Sequence, residues 1–307
     1  MERTRYTYSQ MKSDIIEKLG PGLWNRIKHE IDIPVRHLWS SKRPQHFPLY
    51  MLAATLFKDL YGHSYNRLHQ GLSALKPMAQ KSLRHNIRLV RRALRAWADQ
   101  YLTPSSLAIL RSSAAGQVRV SSFGLCQLWC DTTEFRLTGK ASMSRGDSNW
   151  SHKVNGPGKK WLSLHDGRGR TVFLAGPYSP KCYDADLLMA HAREIEHAFG
   201  RIRIIADNHF ARATLIFQEI ELICNFQSNR RVYGGSGVPL PRPARENLER
   251  WNDDVSQVRG RVEANYGAWQ ALFQALAKPF ADDAEQLHCL VAVAAAVHRI
   301  RISYNAV

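Results

Sequence analysis

Apolar positions in the first hundred residues recur every three or four places. Tyr50, Leu52, Ala53, Leu56 and Leu60 form one such set and Ile87, Val90, Leu94 and Trp97 another, so both segments are read as helices with one buried face. Between them, Ser64 in Gly62-His63-Ser64-Tyr65-Asn66-Arg67-Leu68 is an N-cap candidate for a short helix, because its hydroxyl can accept from a first-turn amide. Pro77 then punctuates the chain before a helix over 81–97.

Beyond Pro104 the period changes. Residues 117–136, with short runs of Val, Phe, Leu and Trp, read as a buried strand. Segments 160–165 and 171–175 read as two more strands, joined by the hairpin turn Asp166-Gly167-Arg168-Gly169. A helix is predicted over 184–199, with Leu187, Leu188, His191, Ile195 and Phe199 on one face, followed by the strand RIRIIA at 201–206. A helix over 211–218, a strand over 220–226, a Gly- and Pro-rich loop insertion at 228–243, a long amphipathic helix over 255–276 and an apolar helix over 285–299 complete the chain. Three strands followed by alternating helices and strands give an α/β fold, a mixed sheet flanked by helices. The expected organisation is an all-helical N-terminal domain at 1–104 and a second domain at 117–307.

Composition narrows the partner. The 44 % apolar and 22 % charged shares of the 307 residues are those of an ordinary globular chain of one or two domains. The 43 Lys and Arg against 26 Asp and Glu leave a net charge of +17, which makes a polyanion, nucleic acid first, the leading partner. The 81–97 helix concentrates Lys81, Arg84, His85, Arg88, Arg91, Arg92 and Arg95 on more than one face. Two readings stay open there, a solvated surface or the basic helix of a helix-turn-helix whose arginines contact phosphates.

Five scattered cysteines with no CxxC pair argue against a disulfide framework and a zinc finger, and fit small core residues in a reducing compartment. The start has no apolar signal-like region, and the small-apolar stretch 289–297 is too short to span a bilayer, so a soluble intracellular chain with no membrane partner is expected.

Three acids stand where an open sheet gathers ligands. Asp131 follows the apolar LCQLWC, where a carboxylate is costly unless paired or bound to metal. Asp207 ends RIRIIA, at the carboxyl edge of its strand. Glu263 lies in the long helix with Gly260 and Gly267 framing it, and two glycines in a helix interior cost roughly 1 kcal/mol each relative to Ala, which suggests that something large needs room beside the acid. Carboxylates on a sheet edge and a neighbouring helix suit Mg²⁺ or Mn²⁺, and two such ions would clamp both oxygens of an in-line phosphoryl displacement. Each acid could instead be a cap or an ion-pair partner; Arg259 sits one helical turn before Glu263.

Trp129 to Arg299 resembles the DDE transposases of the PIF/Harbinger superfamily, most closely the fungal-like branch. The resemblance is carried by WCDTTEF (129–135), WSHK (150–153), KKWLSLHDGRGR with LAGPYSPKCYDADLL (159–188), IIADNHF (204–210) and VRGRVEANYG (258–267). It implies a ribonuclease-H-like fold in which the first Asp lies on the first strand, the second follows the fourth strand and the Glu lies on a late helix. Those places fall on Asp131, Asp207 and Glu263, which become the catalytic and metal-binding candidates. The implied activity is cut-and-paste transposition with two Mg²⁺ or Mn²⁺ ions, acting in the nucleus on element ends and target DNA, with a Myb-like accessory protein and self-assembly as further partners.

His152, Lys153, Arg84, Arg88, Arg91 and Arg259 are the candidate DNA contacts, and Trp150 and Trp161 candidate stacking platforms for unpaired bases. This chain departs from the family in having His209 before Phe210, and Ala268-Trp269-Gln270 after Tyr266-Gly267. The rival readings are a domesticated DNA-binding descendant without turnover and a nuclease that cuts without joining.

Overall fold

A computed structural model describes residues 6–39, 47–73, 78–102, 118–120, 124–126, 128–138, 146–224 and 242–304. The expected loop insertion lies, up to residue 241, outside them, as does Pro77. The first hundred residues form α1 (Tyr8–Leu19), α2 (Pro21–Arg36), α3 (Phe47–Tyr61), α4 (Tyr65–Ser73) and α5 (Gln80–Leu102). Thr7 and Gln10 close α1 with a reciprocal capping box, and Ser64 caps α4 as its position suggested, its Oγ accepting from the amide of Arg67 at 3.1 Å. The long apolar segment expected as one strand is instead the pair β1 (Val118–Val120) and β2 (Gly124–Cys126), antiparallel to each other, followed by β3 (Leu128–Arg136).

Next come β4 (Trp150–Ser151), β5 (Gly156–Asp166), β6 (Thr171–Tyr178), α6 (Asp184–Ala190), α7 (Ala192–Phe199), β7 (Ile202–Ala206) and β8 (Ile220–Cys224). The predicted 184–199 helix is broken at His191, which ends α6 and caps α7, and the predicted 211–218 helix is a 3₁₀ turn over Asn208–Leu215. The chain ends in α8 (Arg242–Leu272), which starts well before its predicted apolar face, and α9 (Ala284–Tyr304).

These elements form two compact units, one of 1–101, 135–159 and 268–307 and one of 102–134 and 160–267. The segment expected as a single domain from 117 onward is therefore shared between them. In the first unit α3 is central. α1 and α2 pack against it, and from Met51 to Leu60 every residue is buried, so a helix read as one-faced is enclosed all round. Its two charged residues, Lys58 and Asp59, are buried with the rest.

In the second unit the sheet runs β6-β5-β3-β7-β8. β5 and β6 are antiparallel, whereas β3, β7 and β8 are parallel. The fold is therefore mixed α/β. Strand alternation sorts the side chains. Leu128 and Cys130 of β3, Leu162 and Leu164 of β5, and Ile204 and Ala206 of β7 share one core with α6, α7 and the 3₁₀ turn. Trp129, Trp161, Ser163, His165 and Ile205 point to the other face, where α8 lies with Tyr266 and Asn265 in contact with Ser163 and His165. Trp161 is fully buried on that face and packed so closely that a Cβ on Gly176 would meet its ring at 2.6 Å. It is a core residue and not a base-stacking platform.

Candidate active site

Strand register brings the two aspartates together. Leu128 pairs with Ile204 and Trp129 with Ile205 in the parallel β3–β7 ladder. Carried two residues past its last pair, the same register brings Asp131 opposite Asp207, which stands one residue beyond the end of β7, where neighbouring strands run about 4.8 Å apart. Alternation sends both carboxylates to the face covered by α8. Asp131 is 7 % exposed, and its Oδ1 accepts from the amide of Thr132 at 2.8 Å. Asp207 caps the 3₁₀ turn, accepting from the amide of His209 at 2.6 Å.

Glu263 approaches from α8. Arg259, one turn earlier, places Nη2 3.3 Å from Asp207 Oδ2 and 3.6 Å from Glu263 Oε1. One guanidinium thus spans the strand-end aspartate and the helix glutamate. The Glu263 side chain remains 64 % exposed. A Cβ placed on Gly260 or Gly267 would meet nothing within 4 Å, so neither glycine is demanded by packing inside the chain. The helix surface around Glu263 is open.

A buried polar network fixes α8 to the sheet. Ser163 Oγ lies 2.7 Å from the Tyr266 hydroxyl and 2.9 Å from His165 Nε2, while Asn265 Nδ2 lies 3.2 Å from His165 Nδ1. Burial first, then the charge of Asp131, holds the Tyr266 hydroxyl well above its ordinary pKa, so the phenol keeps its proton beside the carboxylate. The pattern was visible in WLSLHD, where alternation puts Ser163 and His165 on one face of a buried strand, but its partners on α8 were not. His165→Phe leaves Ser163 and Asn265 buried without their common partner. It is expected to destabilise the second unit by about 1–3 kcal/mol, read as a lower urea midpoint with an unchanged m-value.

A second charged group was also missed. Lys160 Nζ lies 2.9 Å from Asp184 Oδ1, 2.9 Å from the Cys182 carbonyl and 3.6 Å from Glu134 Oε1. Asp184 opens α6, where a carboxylate also favours the helix N-terminus. Burial first, then the nearby charges of Asp131, Asp184 and Asp207 among others, push the Cys130 thiol up.

The candidate DNA contacts of the first unit divide. Arg91 is 1 % exposed and spent on Asp59 and Asp282, so it is not a phosphate contact; its place on the helical wheel did not reveal the acids packed over it. Arg88 is paired with Asp283, and Arg92 with Glu285 at 2.8 Å. The cationic face of α5 is largely neutralised from within, which removes most of the reason to read it as a recognition helix. Arg84 is exposed, its guanidinium 4.7 Å from the Tyr65 ring centroid. His152 and Lys153 are exposed on the turn after β4.

Among the described residues no three acidic, histidine or cysteine side chains converge into a ready-made metal site. Asp131, Asp207 and Glu263 offer oxygen atoms, the donor type that a hard divalent cation takes, and the cation that spans two of them in this structure is the Arg259 guanidinium. A depression of about 780 Å³ lies at the other ends of the strands, lined by Arg201, Arg203, Glu219 and Glu221, away from these acids. No helix of the described residues is long and apolar enough to cross a membrane. No protein-family model matches the chain, and neither the curated proteins nor the solved structures contain a significant match to it.

Proposed function

We propose that this chain is a DNA transposase of the DDE type, of the PIF/Harbinger kind, cutting and joining DNA in the nucleus with Asp131, Asp207 and Glu263 as its catalytic carboxylates. What supports the reading is the β3–β7 register, which, continued two residues beyond its last pair, brings Asp131 opposite Asp207, together with Arg259, which ties Asp207 to the helix of Glu263. The sheet order supports the ribonuclease-H-like assignment. β3, β5 and β6 follow one another as a meander, β7 and β8 continue on the other side of β3, and the second aspartate follows the fourth strand of that set.

The three carboxylates would hold Mg²⁺ or Mn²⁺. When bound, such ions supply an activated water or 3′-hydroxyl and neutralise the departing oxygen. The chain's own residues do the rest. Asp131 is held within β3, and Asp207, just past the end of β7, by its cap bond to the amide of His209. The Ser163–His165–Tyr266 network fixes the helix that carries Glu263. Arg259 balances Asp207 and Glu263 until they are engaged, and is then free to meet a phosphate. The open surface at Gly260 and Gly267 admits DNA close to the helix.

The ion pairs of Arg259 favour one second reading, a domesticated DNA-binding descendant in which an internal cation stands permanently where metal once bound. Purified protein incubated with a supercoiled plasmid, a 3′-hydroxyl oligonucleotide and Mn²⁺ separates the readings. Nicking with covalent joining of the oligonucleotide is expected. Nicking alone would mark a nuclease, and binding without either would leave the DNA-binding descendant.

A further inference from the structure

We infer that the first unit carries a phosphate-binding pocket, built by Lys58, Arg84, Lys278 and the first turn of α4, that seats a backbone phosphate of nucleic acid. The cavity holds about 330 Å³ and is walled by Tyr65, Phe280 and the segment around Lys278, with His63 beside them. Among the described residues that line it none is acidic.

Charge balance leaves this pocket cationic. Its nearest acids, Asp59 and Asp282, are already engaged: Arg91 Nε donates to Asp59 at 2.9 Å and Arg91 Nη1 to Asp282 at 2.8 Å, and the Tyr65 hydroxyl donates to Asp282 as well. Those two acids are balanced by Arg91 and Lys58. Arg84 and Lys278, both exposed, are the excess. Lys58 Nζ and the Arg84 guanidinium lie 4.4 and 4.7 Å from the centroid of the same Tyr65 ring, so two cations are gathered at one aromatic edge of the cavity.

The surroundings report the same potential. Burial, then the charges of Arg67, Lys278 and Lys58, push His63 down to about 4, so the imidazole stays neutral and adds a hydrogen-bonding group without further charge. Burial, with Arg91 adding to it, lowers Lys58 to about 8, and an anion at the cavity would restore its ordinary charge preference. The Ser64 cap engages the amide of Arg67, while the amides at the start of α4 have no acceptor within their own helix, and the helix dipole adds to the positive field.

The net charge of +17 favours a polyanion, nucleic acid, over a small free anion. The pocket belongs to the first unit and does not depend on turnover, so it would persist in a chain that cuts no DNA.

The test is fluorescence anisotropy of a labelled 20-base-pair duplex over a salt series. The Arg84→Ala/Lys278→Ala variant is compared with Lys12→Ala/Lys28→Ala, which removes the same charge from exposed positions of α1 and α2. The pocket variant is expected to lose about tenfold in affinity and to flatten the slope of log K against log salt by about 1–2, with the control changed less than threefold. Inorganic phosphate is expected to raise the melting temperature of the wild type and not of the pocket variant. Equal losses in the two variants would overturn the nucleic-acid assignment even if phosphate stabilises the wild type, and absence of both effects would overturn the pocket altogether.

Discussion

Asp131→Asn is expected to reduce strand cleavage by on the order of 10³-fold or more while leaving duplex affinity within about twofold of the wild type. The substitution keeps the shape of the side chain, and its Oδ1 can still accept from the amide of Thr132. What it removes is the negative oxygen that would bind a divalent cation. The effect on stability is expected to be small, because the isosteric amide keeps the volume of the side chain and its bond from Thr132. A melting temperature close to that of the wild type is therefore expected in EDTA. Added Mn²⁺ should raise the melting temperature of the wild type and much less that of the variant, since ligand bound only to the folded state stabilises it. Cleavage at an undiminished rate would remove Asp131 from the chemistry, and a lower melting temperature with unchanged metal response would make it a structural acid.

Local signals carried much of the fold. The Ser64 cap, the Asp166–Gly169 turn and the strand ending at Asp207 all depend on neighbours within a few residues, and those elements lie where the pattern put them. The pattern misled where tertiary surroundings decide. The apolar run before Asp131 is long enough for one strand, but the chain folds back at β1 and β2 before entering β3. α3 reads as one-faced from its three- and four-residue spacing, yet even Lys58 and Asp59 are buried: Asp59 pairs with Lys58 beside it and with Arg91 of α5, which in turn pairs with Asp282 near the far end of the chain.

The same distinction governs the site. Asp131 and Asp207 could be singled out one by one, as a carboxylate in an apolar strand and a carboxylate at a strand end, whereas their adjacency is a property of register. Arg259 was legible as a neighbour of Glu263 on the helix, one turn away, but its second bond to Asp207 required the packing of α8 on the sheet. The charge of the α5 arginines was plain in composition, and its cancellation by Asp282, Asp283 and Glu285 was not, because those acids come from the far end of the chain. Net charge locates a partner class, and pairing decides which cations are left to meet it.

Arg91→Met is expected to destabilise the first unit by about 3–5 kcal/mol, the range for removing one partner of a buried ion pair. Its guanidinium is the hub between α3, α5 and the segment before α9, with Asp59 and Asp282 as its carboxylate partners and the Phe280 ring 4.9 Å away. Without it two buried carboxylates share Lys58, whose Nζ is 3.6 Å from Asp59. The unpaired charge must then be solvated or protonated inside the core, and both cost stability. For a unit of this size each kcal/mol shifts the midpoint by roughly 2–4 °C, so a drop of about 6–20 °C in calorimetry is expected. Arg91→Met combined with Asp59→Asn returns one charge to balance, leaving Lys58 with Asp282, and should recover a large part of the loss, giving a coupling energy of about 1–3 kcal/mol in the double-mutant cycle. Strictly additive effects would mean that Arg91 acts through its packing against Phe280 alone. A midpoint unchanged by Arg91→Met would show that the buried network does not hold these helices together.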